Sequence, residues 1–144
     1  MANNYSGAGI DLPFTASGNL NAAQYRFVQL AQTSRKVERA TGGSGPAPIG
    51  VLQNDPDDGD GATVRTYGTT LLYVSTASGN LGYRDFLTSG SDGQGILAGA
   101  AGAGSAIHAM YLGGTLTSGS GILAEAFVFT NPMSGSAGFV DNTP

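Results

Sequence analysis

Four aspartates crowd one short stretch, Asp55, Asp57, Asp58 and Asp60. Closely spaced carboxylates can hold calcium in a helix-loop-helix loop, provided glycine stands sixth and glutamate twelfth. Counted from Asp55, the fifth residue is Gly59, the sixth Asp60 and the twelfth Thr66. The pattern fails, and the stretch reads instead as a solvated acidic turn with an Asp-Gly step. His108 is the one histidine. A hydrolytic triad needs an imidazole oriented by a carboxylate and set beside a nucleophile. Ile107 and Ala109 flank His108 with no acid close in sequence, so a structural histidine is expected. One histidine and no cysteine leave no histidine- or thiolate-rich metal set. Gly99 to Gly104 reads Gly-Ala-Ala-Gly-Ala-Gly, but a phosphate loop calls for lysine, and the sole lysine is Lys36. The chain is expected to be no enzyme and to use neither cofactor nor metal.

The elements that would position such residues read as strands. In Ala47-Pro48-Ile49-Gly50-Val51-Leu52-Gln53-Asn54, Pro48 biases Ala47 toward extended backbone. Ile49, Val51 and Leu52 suit a pleated, half-buried surface. After the acidic turn, Ala62/Val64/Thr66 alternate with Thr63/Arg65/Tyr67 and give two faces. Two strands joined by a loop are expected here, with another strand over 69–74. Leu20, Ala23, Phe27 and Leu30 fall near helical spacing, yet residues 25–30 are rich in strand formers, and a hairpin is expected over 19–40. Further strands are expected at 107–112 and 124–130, the last with Phe127 and Phe129 on one face. Close-set short strands with Gly-rich turns make an all-β fold, a small Gly-rich β-barrel or sandwich. Its expected parts are an extended N-terminal arm over 1–24, a barrel or sandwich over 25–130 and a flexible tail over 131–144. Pro13, between Leu12 and Phe14, suits an arm or an edge strand.

Composition narrows the partners. The 144 residues fit one domain and include 24 glycines, far above the usual share of roughly 7%. Only 11% are charged, and the net charge is −4. A general nucleic-acid binder needs a strong basic field, so no direct nucleic-acid contact is expected. The run from Gly95 to Leu112 is too weak for a membrane span, and no signal peptide is read at Met1-Ala2-Asn3-Asn4-Tyr5. Four of the six basic residues, Arg26, Arg35, Lys36 and Arg39, lie close together, while acids gather at 55–60. Such a separation can steer a charged partner.

Two echoes run through the chain. Thr15-Ala16-Ser17-Gly18-Asn19-Leu20 recurs as Thr76-Ala77-Ser78-Gly79-Asn80-Leu81, each followed by Tyr-Arg (Tyr25-Arg26 and Tyr83-Arg84). Leu87-Thr88-Ser89-Gly90-Ser91 recurs as Leu116-Thr117-Ser118-Gly119-Ser120, each leading to Gly-Ile-Leu-Ala. Unequal spacings exclude a solenoid. Similar loops feeding similar hairpins in one barrel would produce them, as would chance in a low-complexity chain.

The stretch Ile49-Gly50-Val51-Leu52-Gln53-Asn54, followed by Pro56, a Gly/acidic turn and Ala62-Thr63-Val64-Arg65, resembles the capsid decoration, or cement, proteins of tailed bacteriophages. Met1-Ala2, Asn4-Tyr5, Gly9, Leu12 and Thr15-Ala16 are similar to that family's N-terminal arm, and Leu87-Thr88-Ser89 to one of its turns. The resemblance implies a structural virion protein that binds the outer surface of the phage head and bridges major capsid subunits, usually as a homotrimer. It implies capsid contact through the arm (Asn4, Tyr5, Ile10, Leu12 and Phe14), with Arg26, Arg35 and Arg39 as polar contacts. The alternatives are a receptor- or glycan-binding module of a phage fibre, which needs an exposed aromatic platform, and an enzyme. Residues 79–85 resemble a segment of the trimeric dUTP pyrophosphatases, but lack the acid expected before Tyr83.

Overall fold

The computed structural model describes residues 7–43, 45–98 and 106–129. Asn4, Tyr5, the Gly99–Gly104 run and the expected tail lie outside them. Nine strands form: β1 (Gly9–Ala16), β2 (Phe27–Leu30), β3 (Lys36–Arg39), β4 (Pro48–Leu52), β5 (Gly61–Val74), β6 (Phe86–Ser89), β7 (Gly95–Leu97), β8 (Ala109–Tyr111) and β9 (Ile122–Val128). The fold is all-β, and residues 19–40 contain the β2–β3 hairpin, not a helix.

Strand β5 runs unbroken through Gly68, where the sequence reading places a strand end. Its first half pairs antiparallel with β1, from Thr15 opposite Gly61 to Gly9 opposite Gly68. Its second half pairs antiparallel with β9, from Gly68 opposite Val128 to Val74 opposite Ile122. These pairings close two rings, β1-β3-β2-β4-β5 and β5-β7-β6-β8-β9. The chain thus contains two five-stranded barrels sharing one strand, where one barrel or sandwich is expected from the sequence.

The barrels have the same topology. The β1/β3 and β5/β7 pairs are parallel, and every other pair is antiparallel. Loop hydrogen bonds match as well. Tyr25 N–H donates to the Leu52 carbonyl (2.7 Å) and Leu52 N–H to the Arg26 carbonyl (3.0 Å). One constant offset along the chain gives Arg84 N–H to the Tyr111 carbonyl and Tyr111 N–H to the Asp85 carbonyl, both 2.8 Å. Tyr25 (φ 64°) and Arg84 (φ 79°) are also the two non-glycine residues with positive φ among those described.

The first echo follows this repeat at its leucine. Each copy leaves the opening strand of its barrel and buries its leucine, Leu20 in one core and Leu81 in the other. Leu20 N–H donates to the Pro56 carbonyl and Leu81 N–H to the Leu116 carbonyl, both 2.9 Å. The second echo does not follow it: Leu87–Ser89 is strand β6, whereas Leu116–Ser120 lies in a loop.

Alternation along each strand fills the cores. Val28, Val37, Leu52, Ala62 and Val64 point into barrel 1. Phe27, Ala40 and Val51, on the opposite face of barrel 1, pack with Leu72, Val74, Leu87 and Val128 of barrel 2. The strands β2 and β4 are therefore buried on both faces, and the barrels share apolar contacts. His108 lies at this junction, wholly buried and edge-on to Phe27, with ring centroids 5.9 Å apart.

The expected arm is, from Gly9 onward, part of the sheet, because β1 closes barrel 1. Thr63, opposite Pro13, donates its N–H to Asn54 Oδ1 (2.9 Å) and accepts at its carbonyl from Gln53 N–H (2.8 Å). Both groups point away from β1, so Pro13 is in a non-hydrogen-bonded pair and its nitrogen faces the open edge. A proline there costs the ladder nothing and removes a donor that another chain's strand would use.

Burial lowers the His108 pKa to about 4, and Nδ1 has no hydrogen-bond partner. An unfolded histidine titrates near 6.5, so the unfolded chain binds the extra proton between these values. The resulting stability is complete above pH ~6.5 and is lost as pH falls toward 4, on the order of 3 kcal/mol in all. Urea unfolding at pH 7 and pH 5 should show this drop, and His108→Leu should flatten it. A second expectation concerns Gly68, whose φ is 118° and where an added Cβ would collide with the Ala8 carbonyl oxygen. Gly68→Val should lower stability by about 3 kcal/mol or more, combining strain with a backbone collision, read as a fall in Tm.

Candidate functional site

Arg65 is buried beneath the start of β1, on the strand face opposite Val64. Its Nε and Nη2 donate to the two Asp11 oxygens at 2.6 and 3.0 Å, a bidentate pair. Its Nη1 donates to the Gly7 (2.8 Å) and Thr69 (2.6 Å) carbonyls. One guanidinium thus ties the chain entering β1 to the middle of β5. The hydrogen bonds from Arg65 hold the Asp11 carboxyl below its ordinary range; partial burial opposes the shift and the guanidinium charge adds to it. This pair is absent from the sequence reading because its partners lie far apart in the chain, and a lone arginine on a strand face looks solvated.

Arg26 is also engaged. Its guanidinium lies 5.1 Å from the centre of the Tyr73 ring, donates to the Asp92 carbonyl (3.2 Å) and stands 3.5 Å from the Asp92 carboxylate. Burial alone would raise the Asp92 pKa, but hydrogen bonds from Gln94, with the Arg26 charge beside it, bring it below the ordinary value. Arg26 therefore braces barrel 1 against barrel 2. Arg35 and Arg39 are exposed. Arg35 joins Pro13, Phe14 and Thr15 around a surface groove, so the fold brings together Phe14 and Arg35 of the residues singled out by sequence. Ile10 and Leu12 are exposed on β1, while Phe14 packs partly against the barrel 1 core.

The basic and acidic clusters are neighbours, not opposite poles. Lys36 pairs with Thr15, and Asp58 Oδ1 accepts from Gly18 N–H (2.8 Å) at the exit of the same strand. Asp57 accepts from Asn21. These aspartates fasten the Gly18 loop. Among the described residues no group of three or more histidine or acidic side chains converges as a metal set. Asp85, the carboxylate of the enzyme alternative, accepts from Gly82 N–H (2.7 Å) within its own turn.

The surface feature that sequence reasoning missed is aromatic. Tyr67, Phe127, Phe129 and Phe86 form a chain of edge-to-face contacts with centroids 5.3, 6.0 and 6.5 Å apart. Ile10 extends it through its pairing with Tyr67, and Met110 lies between Phe127 and Phe86 in the ladder. Tyr67 and Phe86 are about half exposed, so these aromatics face outward. Period-two spacing places Phe127 and Phe129 together but does not say which side of the sheet is solvent.

No protein-family model and no curated protein matches the chain. Its fold is similar to that of a solved structure, the N base of head fiber gp8.5 in bacteriophage phi29, with a TM-score of 0.57 and 20% sequence identity. The likeness covers 83% of this chain and 94% of that one. At this identity the two share a fold.

Asp11→Asn should loosen the start of β1. The expected loss is about 2 kcal/mol, below the roughly 3–5 kcal/mol for breaking a fully buried pair, because the Asp11 side chain is 34% exposed. Faster hydrogen exchange near Gly9–Leu12 would report it. Because the Asp11 pKa is depressed, its contribution is present above pH ~4 and is lost as pH falls through the folded value.

Proposed function

We propose that the chain is a structural protein of a bacteriophage virion, carried on the outer surface of the head and bound to the major capsid protein. The observation that carries this reading is the fold, shared across nearly the whole of a head fiber base. The surface supports it. Polar side chains that catalysis would require to be poised are spent on holding strands and turns, as at Arg65, Asp11, Asp58 and Asp85. A contiguous apolar stripe remains outward, a feature that marks protein contact sites. The capsid-facing residues are Ile10 and Leu12 on β1, with Tyr67 beside them and Asn4 and Tyr5 just before; Arg39 supplies a polar contact. Many copies on a lattice gain strength through multivalency, so modest contacts suffice to bridge capsid subunits.

A glycan-binding fibre module is the second reading, favoured by the exposed aromatics. Consecutive rings stand at 83°, 78° and 83° to one another, so each spends a face or an edge on its neighbour, whereas a sugar stacks on a free face. This geometry suits a protein partner better.

Co-sedimentation with undecorated heads tests the proposal. The protein should bind saturably at a fixed ratio to capsid subunits. The double variant Ile10→Ser, Leu12→Ser should weaken binding at least tenfold while keeping the fold, since both side chains are exposed. No binding by the unaltered protein, together with selective glycan capture, would move the assignment to the fibre module.

A further inference from the structure

Both sides of the junction between the barrels have counterparts that the described residues cover only in part. Within the chain, barrel 1 presents Phe27, Ala40 and Val51 to barrel 2. Phe27 N–H donates to the Gly93 carbonyl and Tyr73 N–H to the Tyr25 carbonyl, both 2.8 Å, and Arg26 covers the Tyr73 ring. The repeat assigns each of these groups a partner one barrel later. Strands β6 and β8 pair through Phe86 and Met110 as β2 and β4 pair through Phe27 and Val51. Phe27 and Val51 are wholly buried, whereas Phe86 is 45% exposed and Met110 only partly covered. Among the described residues no barrel packs on this second face as barrel 2 packs on the first.

The receiving side has its counterpart on barrel 1. Ser17 N–H donates to the Val37 carbonyl as Ser75 N–H donates to the Gly95 carbonyl. The same offset relates Phe14 to Leu72 and Thr15 to Tyr73. Leu72 is wholly buried, while Phe14 is only partly so. Phe14, Thr15 and Arg35, with Pro13, are the residues that line the surface groove. The groove therefore lies where the repeat places an empty seat.

We propose that copies of this chain associate head to tail, the Phe86–Met110 face of one copy seating in the Pro13–Arg35 groove of the next. Charge complementarity supports a second copy as the occupant. Inside the chain the inserting face carries Arg26 and the receiving loop Asp92. At the open surfaces the signs are exchanged: Asp85 stands in the place of Arg26, and Arg35 and Lys36 lie on the receiving side. This contact is heterologous, and its repetition either closes a ring, a trimer if three copies complete the turn, or runs on as a filament. The inference rests on the internal repeat and not on attachment to a head.

Light scattering and sedimentation over a concentration series test it, using the full chain with Phe86→Lys and Arg35→Glu. Both side chains are exposed, and circular dichroism checks that each variant folds. The unaltered protein should rise above its 14.4 kDa monomer mass with concentration, and each variant alone should stay monomeric. Mixing the variants should restore a one-to-one dimer, because one keeps the groove and the other keeps the face. An unaltered protein that is monomeric at every concentration overturns the proposal. So does an associating protein whose mixed variants remain monomers, which is the behaviour of a different or self-complementary interface.

Discussion

One strand must satisfy two barrels at once. Along β5 the closing partner changes from β1 to β9, and the exchange takes place at Gly68, which pairs with Gly9 on one side and Val128 on the other. A strand that switches partners must bend, and the bend brings the Ala8–Gly9 backbone against the Gly68 α-carbon, where no side chain fits. Glycine is therefore demanded by close approach as well as by its positive φ. Arg65 reinforces the crossing by reaching from β5 to Asp11 and to the Gly7 and Thr69 carbonyls. Closing each ring also pairs backbone that an open sheet would leave exposed.

From this shared strand the surface follows. Two identical topologies in series leave an inserting face at one end and a receiving groove at the other, just as a solenoid leaves bare faces unless it is capped. Phe86 and Met110, within the aromatic stripe, thus originate as the second copies of Phe27 and Val51 in the repeat. That origin explains why Phe86 and Met110 are apolar yet outward, and why their counterparts Phe27 and Val51 lie in the barrel 2 core.

Local features of this fold were legible in the residues. Ile49, Val51 and Leu52 before an acidic turn mark β4, the β-rich run at 25–30 marks β2, and the leucines of the Thr-Ala-Ser-Gly-Asn-Leu echo trace the repeat. What depends on distant partners was not. Gly68 reads as a strand end because glycine usually ends strands, and only the β1 and β9 pairings reveal a continuous β5. Alternation tells which residues share a face, as for Phe127 and Phe129, but not whether that face meets a core or water. Pro13 leaves arm and edge strand open for the same reason: its signature is the same whether β1 joins its own barrel or a neighbour's sheet. Arg65 and Asp11 are separated by most of barrel 1 in sequence, so their pairing emerges only once the barrel is closed.

Native-state hydrogen exchange along β5 tests the shared-strand account most directly. The barrels hold Phe27, Ala40 and Val51 in common with the second core, so they should unfold as one unit. The account predicts that slowly exchanging amides on both sides of Gly68 open with the same free energy and the same denaturant dependence. Two distinct opening energies, one for the half paired with β1 and another for the half paired with β9, would contradict it and show two independent barrels that merely adjoin.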